Sequence, residues 1–428
     1  MPAEPGTRGD TALLDALREE VARHDPARRP VQHATACFHL GTALIAAGEP
    51  RAAVEALEQA AAGFPPAGLP VEHAKARMML GVAFRDLGAT AQADAAFAAA
   101  AALLVANDQP LEAAAARYNR GLVLREAGDD VAAADAFREA LAVFAGADAR
   151  AQATAAAREL GTSLLATGDL DAARQALEES QELARRAGDR AALGAAANVR
   201  GVVELAAGRP DAAADAFLDA CGAHPVSVRP GEHGMARANL ALAHARAGQW
   251  ARAHLAARQA LAIDALPEPA RRQAQEVLRE PAAGAGAGAG GAATVPDPLT
   301  VVLGSATPGE LFGLLRAELA RLGTIGDHDA RTGAVAEHGR ALVAALRDPT
   351  GRTDRAAAWL EVVLEQPPAL FEAVLEALVR ATEDEPEAPA IARSVIGASV
   401  RFHAPQWMRV RDTLTSIAAR AEVRTPWS

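Results

Sequence analysis

The sequence predicts an all-α protein built from repeated helix–turn–helix units, and three observations carry that expectation. Gly48, Gly88, Gly128, Gly168, Gly208 and Gly248 fall forty residues apart without a slip. Small residues keep the same step around them: Gly41, Gly81, Gly121, Gly161, Gly201 and Ala241 before, Ala53, Ala93, Ala133, Ala173, Ala213 and Ala253 after, then Ala60, Ala100, Ala140, Ser180, Ala220 and Ala260. Half of the residues are apolar but only 4% are aromatic, which suits thin, closely packed helices more than one thick core. A fixed period of roughly 20–50 residues marks a stacked array, and such arrays mostly bind other macromolecules.

Each element has a local reason. Residues 10–24 predict a short N-terminal helix with Leu13, Leu14, Leu17 and Val21 on one face, so 1–30 reads as a capping segment. In the first unit Leu40, Ala43 and Leu44 sit at helical spacing, and Gly48 stops the helix by relaxing the left-handed position. Glu49-Pro50 opens a second helix, where proline is tolerated in the first turn. Ala53, Leu57 and Ala60 recur along one face of it. A glycine inside a helix costs about 1 kcal/mol against alanine. The repeated glycine at Gly41 therefore predicts a close helix crossing, with Ala53 and Ala60 answering from the other side.

The array is expected to span 31–280 and to end in a polar, arginine-rich capping helix at 268–279. A Gly/Ala/Pro segment at 281–298 buries almost nothing and reads as a flexible linker. Beyond it the period stops. Helical patterns at about 308–322, 328–347, 354–365, 368–382, 387–401 and 405–421 predict a C-terminal helical domain over 299–428. Thr307-Pro308 is a helix start signal, and Asp327-His328-Asp329 reads as helix-capping residues.

The pattern Leu-Gly, a Gly seven residues on, Ala five beyond it, a large residue four later and Ala after three more resembles the tetratricopeptide repeat (TPR). The large residue is Leu57, Phe97, Phe137, Leu177 and Phe217, with Ala257 departing in the sixth unit. The usual unit is about 34 residues, and the six extra residues here resemble an extended forty-residue subtype over about 31–264. HEAT-type repeats are the alternative, without this register of glycine and alanine. The resemblance implies a right-handed superhelix of six units whose first helices line a concave surface.

Composition excludes several classes of function. Lys75 is the single lysine beside 42 arginines, which points to a GC-rich, actinobacterial coding sequence and deprives the arginines of meaning as a nucleic-acid signal. The net charge of −11 also opposes non-specific nucleic-acid binding. Cys37 and Cys221 lie in no metal-ligand or CxxC spacing and read as free thiols in a reducing cytoplasm. No run of about twenty apolar residues offers a membrane span. There is no P-loop and no HExxH. His224, His233, His244 and His254 form a loose group without metal spacing, and Glu383-Asp384-Glu385 reads as a solvated loop. The expectation is no metal, no cofactor and no catalytic residue.

Any site must then come from the shape of the array. The resemblance assigns inward positions around the mid-helix glycine. They hold Phe38 and His39, Met78, Tyr118 and Asn119, Asn198 and Asn239, with Arg85 and Arg125 one unit apart. By resemblance, Asn119 and Asn239 hold the backbone of an extended peptide, since an amide donates and accepts at once. Two guanidinium forks in register suit a carboxylate. The competing expectation is that Arg85 and Arg125 pair with Asp86 and Glu126. Thr42, Val82 and Leu122 stand where a chaperone-tail clamp requires asparagine, so that ligand is not expected. The sequence leaves an adaptor holding a protein or peptide segment, a partner-sensing regulator whose C-terminal helices are the effector, and, less favoured, an enzyme with its site in 299–428.

Overall fold

A computed structural model describes residues 6–65, 68–280, 297–420 and 427. Among them it forms 21 helices and no strand. After α1 (Gly6–Arg23), the first helices of the hairpins are α2 (Pro30–Ala46), α4 (Pro70–Asp86), α6 (Pro110–Glu126), α8 (Arg150–Thr167), α10 (Arg190–Ala206) and α12 (Pro230–Arg246). The second helices are α3 (Pro50–Gly63), α5 (Thr90–Ala106), α7 (Asp130–Gly146), α9 (Leu170–Ala187), α11 (Pro210–Ala223) and α13 (Trp250–Leu261). Every helix of the series starts twenty residues after the one before, so the forty-residue period is two equal steps.

The turn inside each hairpin is set by its glycine. Gly128 has φ +83, and the turn closes with Asp129 N donating to Leu124 O at 2.9 Å and Gly128 N to Arg125 O at 2.9 Å. This paired closure satisfies carbonyls that a helix end otherwise leaves open. Asp129 then caps α7 by accepting from Ala132 N at 3.1 Å. The mid-helix glycines sit at the closest crossing, but the residue opposite is not the expected alanine. A Cβ on Gly121 would stand 2.7 Å from the Phe137 ring, and one on Gly41 would stand 2.5 Å from Leu57. The large residue of the second helix fills the space that the glycine leaves.

Successive hairpins are joined in two ways. After α5, α7 and α9 a single left-handed residue, Asp108, Asp148 or Gly188, suffices. After His24, Phe64 and His224 the connection is wider, and a histidine three residues into the next helix closes it. Nδ1 of His33, His73 and His233 donates to the carbonyls of His24, Phe64 and His224 at 2.9, 2.9 and 2.8 Å. In two of them the other ring nitrogen accepts from an arginine one turn on, Arg77 at 3.0 Å and Arg237 at 3.4 Å.

Packing gathers the chain into Met1–Ala207 and Gly208–Ser428. Within the first unit, successive first helices touch one another, α2 on α4, α4 on α6, α6 on α8 and α8 on α10, while successive second helices stand further apart. The first helices therefore line the inside of the curve.

In the second unit α14 (Glu268–Arg279) packs on α12 and α13. Of the candidate linker at 281–298, residues 281–296 lie outside the described residues, and Asp297 and Pro298 belong to the start of the next helix. The helices that follow are α15 (Pro298–Ser305), α16 (Pro308–Thr324), α17 (His328–Arg347), α18 (Arg352–Leu364), α19 (Pro368–Ala381), α20 (Ala388–Ser399) and α21 (Ala404–Arg420). They pack mainly one helix apart, α15 on α17, α16 on α18, α17 on α19 and α18 on α20, giving two interleaved layers. α15 is an element the sequence pattern did not predict. Asp297, read as the end of a linker, caps it by accepting from Leu299 N at 2.9 Å.

The sixth hairpin is part of this C-terminal core. Leu255 of α13 is buried in one cluster with Val302, Leu311, Trp359 and Trp427. Arg252 pairs with Glu310 at 2.7 Å and Arg258 with Asp297 at 3.4 Å.

Candidate functional site

The inner face of the first unit carries its most unusual polar group. Glu159 of α8 is 5% exposed, yet it lies on the face where a carboxylate would ordinarily be solvated. Arg125 from α6 reaches it at 3.0 Å and Arg158 from α8 at 2.7 Å. Burying a carboxylate is costly unless it is paired, and two guanidinium groups meet that need. The pairing is incomplete, since Arg125 Nε and Glu159 Oε2 are buried without a hydrogen bond.

Tyr118 stands beside this cluster, edge-on to Phe137 with centroids 5.5 Å apart. Burial pushes its phenol pKa up, and Glu159 adds to that, while Arg158, Arg125 and Arg85 oppose it. The three arginines are therefore close enough for their charge to be felt at one hydroxyl. Tyr118 and Asn119 also border a cavity of about 300 Å³ with Ala115, Phe144, Ala151, Gln152 and Ala155. Its walls are mostly apolar and Asn119 is half-buried at its edge.

The structure thus joins four of the sequence-derived site residues, Arg85, Tyr118, Asn119 and Arg125, in one region. The expected pairing of Arg85 with Asp86 and Arg125 with Glu126 does not form. Arg125 is held by Glu159, and Arg85 has neither an ion pair nor a hydrogen bond among the described residues. Asn119 likewise has no hydrogen-bond partner among them.

The remaining candidates are placed elsewhere. Phe38 is half-buried against the first hairpin's core and edge-on to the exposed His39 at 6.1 Å. Met78 packs against Phe97 and Val123 and serves the core. Asn198 is half-buried and has a polar partner. Asn239, in the second unit, is covered by the array's own cap: Gln273 of α14 donates to its amide oxygen at 3.1 Å. Sequence reasoning did not select Glu159. Its signal was present, because Glu159 occupies the position of Asn119 one unit on.

The histidine group disperses into separate structural roles. His233 closes an inter-hairpin connection, His244 bonds Gln249 at 3.0 Å and His254 faces the Glu280 carbonyl at 3.2 Å. Among the described residues no three His, Cys, Asp or Glu side chains gather as metal ligands. Cys37 and Cys221 are both free and buried. No helix among those residues is long and apolar enough to cross a membrane.

A stack of two-helix units, with a cavity and a charged cluster on the inner face of the first unit, defines a helical-repeat protein. Residues 38–103 and 152–224 match models described as the tetratricopeptide repeat. These stretches of the chain are tetratricopeptide repeats. No curated protein matches its sequence. Among solved structures it is similar to BtubC (BKLC) from P. vanneervenii, at 19% identity and a TM-score of 0.43, covering 50% of this chain and 88% of that one. The apo form of RapI is similar at 13% identity and a TM-score of 0.43, over 62% and 93% of the two chains. A putative kinesin light chain repeat protein from Podosopora anserina follows at 16% identity and a TM-score of 0.40, over 46% and 96%.

Proposed function

We propose that the inner face of the first unit holds a segment of a protein partner, and that the protein works as an interaction scaffold. The observation that carries this reading is the pairing of an available polar edge with a cavity. Arg85 and Asn119 are half-buried and have no protein hydrogen-bond partner among the described residues, and Asn119 borders an apolar recess of about 300 Å³. Such groups are met by water in the free protein and can exchange it for a peptide backbone or side chain. Tetratricopeptide repeats in general mark protein–protein interaction modules.

The experiment is a pull-down from the native host with the full chain, run beside Tyr118→Ala and Asn119→Ala. A protein retained by the wild type and lost from both variants supports the groove. Equal retention by all three places the binding surface elsewhere and removes this reading.

A second reading has one observation in its favour. Leu255 of the sixth hairpin is buried in the core of the C-terminal helices, so a change in the hairpin's position has a direct route to them. A partner that alters hydrogen-exchange protection of α15 and α16 would support regulation through those helices. Unchanged protection on partner binding would leave the scaffold reading alone.

A further inference from the structure

We propose that Arg85, Tyr118 and Asn119 form an open subsite for one carboxylate of the bound segment, with the adjoining cavity taking a neighbouring apolar side chain. This rests on the groove reading above and names the chemistry of its ligand.

The argument is one of register. Arg85 and Arg125 are forty residues apart, as are Tyr118 and Arg158, and Asn119 and Glu159. Each trio is built the same way: an arginine from one first helix, and two consecutive residues from the next. α4 touches α6 as α6 touches α8. In the later trio the third member is a carboxylate, gripped by Arg125 at 3.0 Å and Arg158 at 2.7 Å. In the earlier trio the same place is held by Asn119, which has no charge to offer. Arg85 is left without an ion pair, and Asn119 without a hydrogen bond, among the described residues.

The protein's own Glu159 therefore depicts the ligand that the earlier trio lacks. A carboxylate entering there accepts from the Arg85 guanidinium, from the Asn119 amide N–H and from the Tyr118 hydroxyl. All three groups can donate to it. Glu159 has a second effect. It already neutralises one of the two arginines beside it, so the cluster carries an excess suited to a single acidic group, and a second ligand carboxylate placed near α8 meets a like charge.

The apolar half of the subsite follows from Tyr118, which belongs to both parts. Its ring borders the cavity with Ala115, Phe144 and Ala155. A residue next to the acid in the ligand chain thus has its side chain directed at that recess.

The test uses the full chain and a displayed library of random short peptides. Selection is expected to enrich peptides with one Asp or Glu adjacent to a large apolar residue. For a synthesised winner, replacing its acid by the matching amide should weaken binding by about tenfold or more, as should Arg85→Gln. Asn119→Glu is the sharper variant. It installs the carboxylate that Glu159 already provides one unit later, so it should fill the subsite, preserve the melting transition and abolish the preference for acid. If the selected peptides need Tyr118 but bind equally well with their acid removed, the carboxylate subsite is wrong and the groove reading stands. If binding is indifferent to Arg85→Gln, Asn119→Glu and Tyr118→Ala alike, or if no peptide is enriched, both fall.

Discussion

Gly121 gains nothing locally from lacking a side chain, since it sits in mid-helix where glycine costs about 1 kcal/mol against alanine. Its reason is the Phe137 ring, 2.7 Å from where a Cβ would stand. Gly121→Ala should therefore destabilise the first unit by roughly 1–3 kcal/mol through overpacking, read by thermal melting. Gly333 is also mid-helix, in α17, but nothing lies within 4 Å of its missing Cβ. Gly333→Ala should instead raise stability by about 0.5–1 kcal/mol. Opposite signs are the expected result, and equal signs would refute the packing account. Two histidines predict a pH dependence. His244 is pushed down to about 4 by burial and then by Arg252, and His338 to about 4 chiefly by burial. Unfolded, both titrate near about 6.5. As pH falls from there towards 4, the unfolded chain binds protons that the folded chain refuses. Stability is therefore full above pH 6.5 and drops on acidification, by up to about 3 kcal/mol per histidine. Trp250, Trp359, Trp407 and Trp427 all lie in Gly208–Ser428 with these histidines. Urea unfolding followed by tryptophan fluorescence should show the midpoint falling over that window, and a flat midpoint would contradict the assignment.

Individual helices explain what periodicity alone missed. α15 has eight residues, too short for a helical stripe to stand out, and it follows a Gly/Ala-rich stretch that reads as a linker. Only the Asp297 cap and Pro298 at its first turn marked it. α13 has a double role that its sequence does not display. It closes the sixth hairpin against α12 and also meets α15 with Leu255, which is 1% exposed. Apolar residues around a helix say that it is covered on several sides, not by which partner. Leu255→Ala should cost about 2–5 kcal/mol and loosen α15, seen as faster amide exchange over Pro298–Ser305. Exchange confined to α13 would mean that the hairpin and the C-terminal helices are energetically separate. The inter-hairpin histidines were likewise visible as residues but not as a device. Their role appears only when His33, His73 and His233 are found on equivalent carbonyls.

For the molecule as a whole, the register was legible because the first five hairpins repeat the same pattern, with glycine at the turn, glycine at the crossing and a large residue opposite it, and the sixth keeps the turn glycine. The groove was legible only in part. Tyr118, Asn119, Arg85 and Arg125 do share one region, but the state of each depends on a residue far along the chain. Arg125 is claimed by Glu159 and Asn239 by Gln273, each thirty-four residues on, and nothing local announces either partner. The central claim is that a partner's segment lies against Tyr118 and Asn119 on the inner face. A photocrosslinking amino acid placed at the exposed Gln152, which borders the same cavity as Tyr118 and Asn119, is compared with one at the exposed Arg138 of α7 on the second-helix side, and tests it most directly in the native host. The account predicts a discrete crosslinked partner from position 152, absent from 138 and suppressed by Arg85→Gln. Crosslinking from 138 with none from 152 would contradict it.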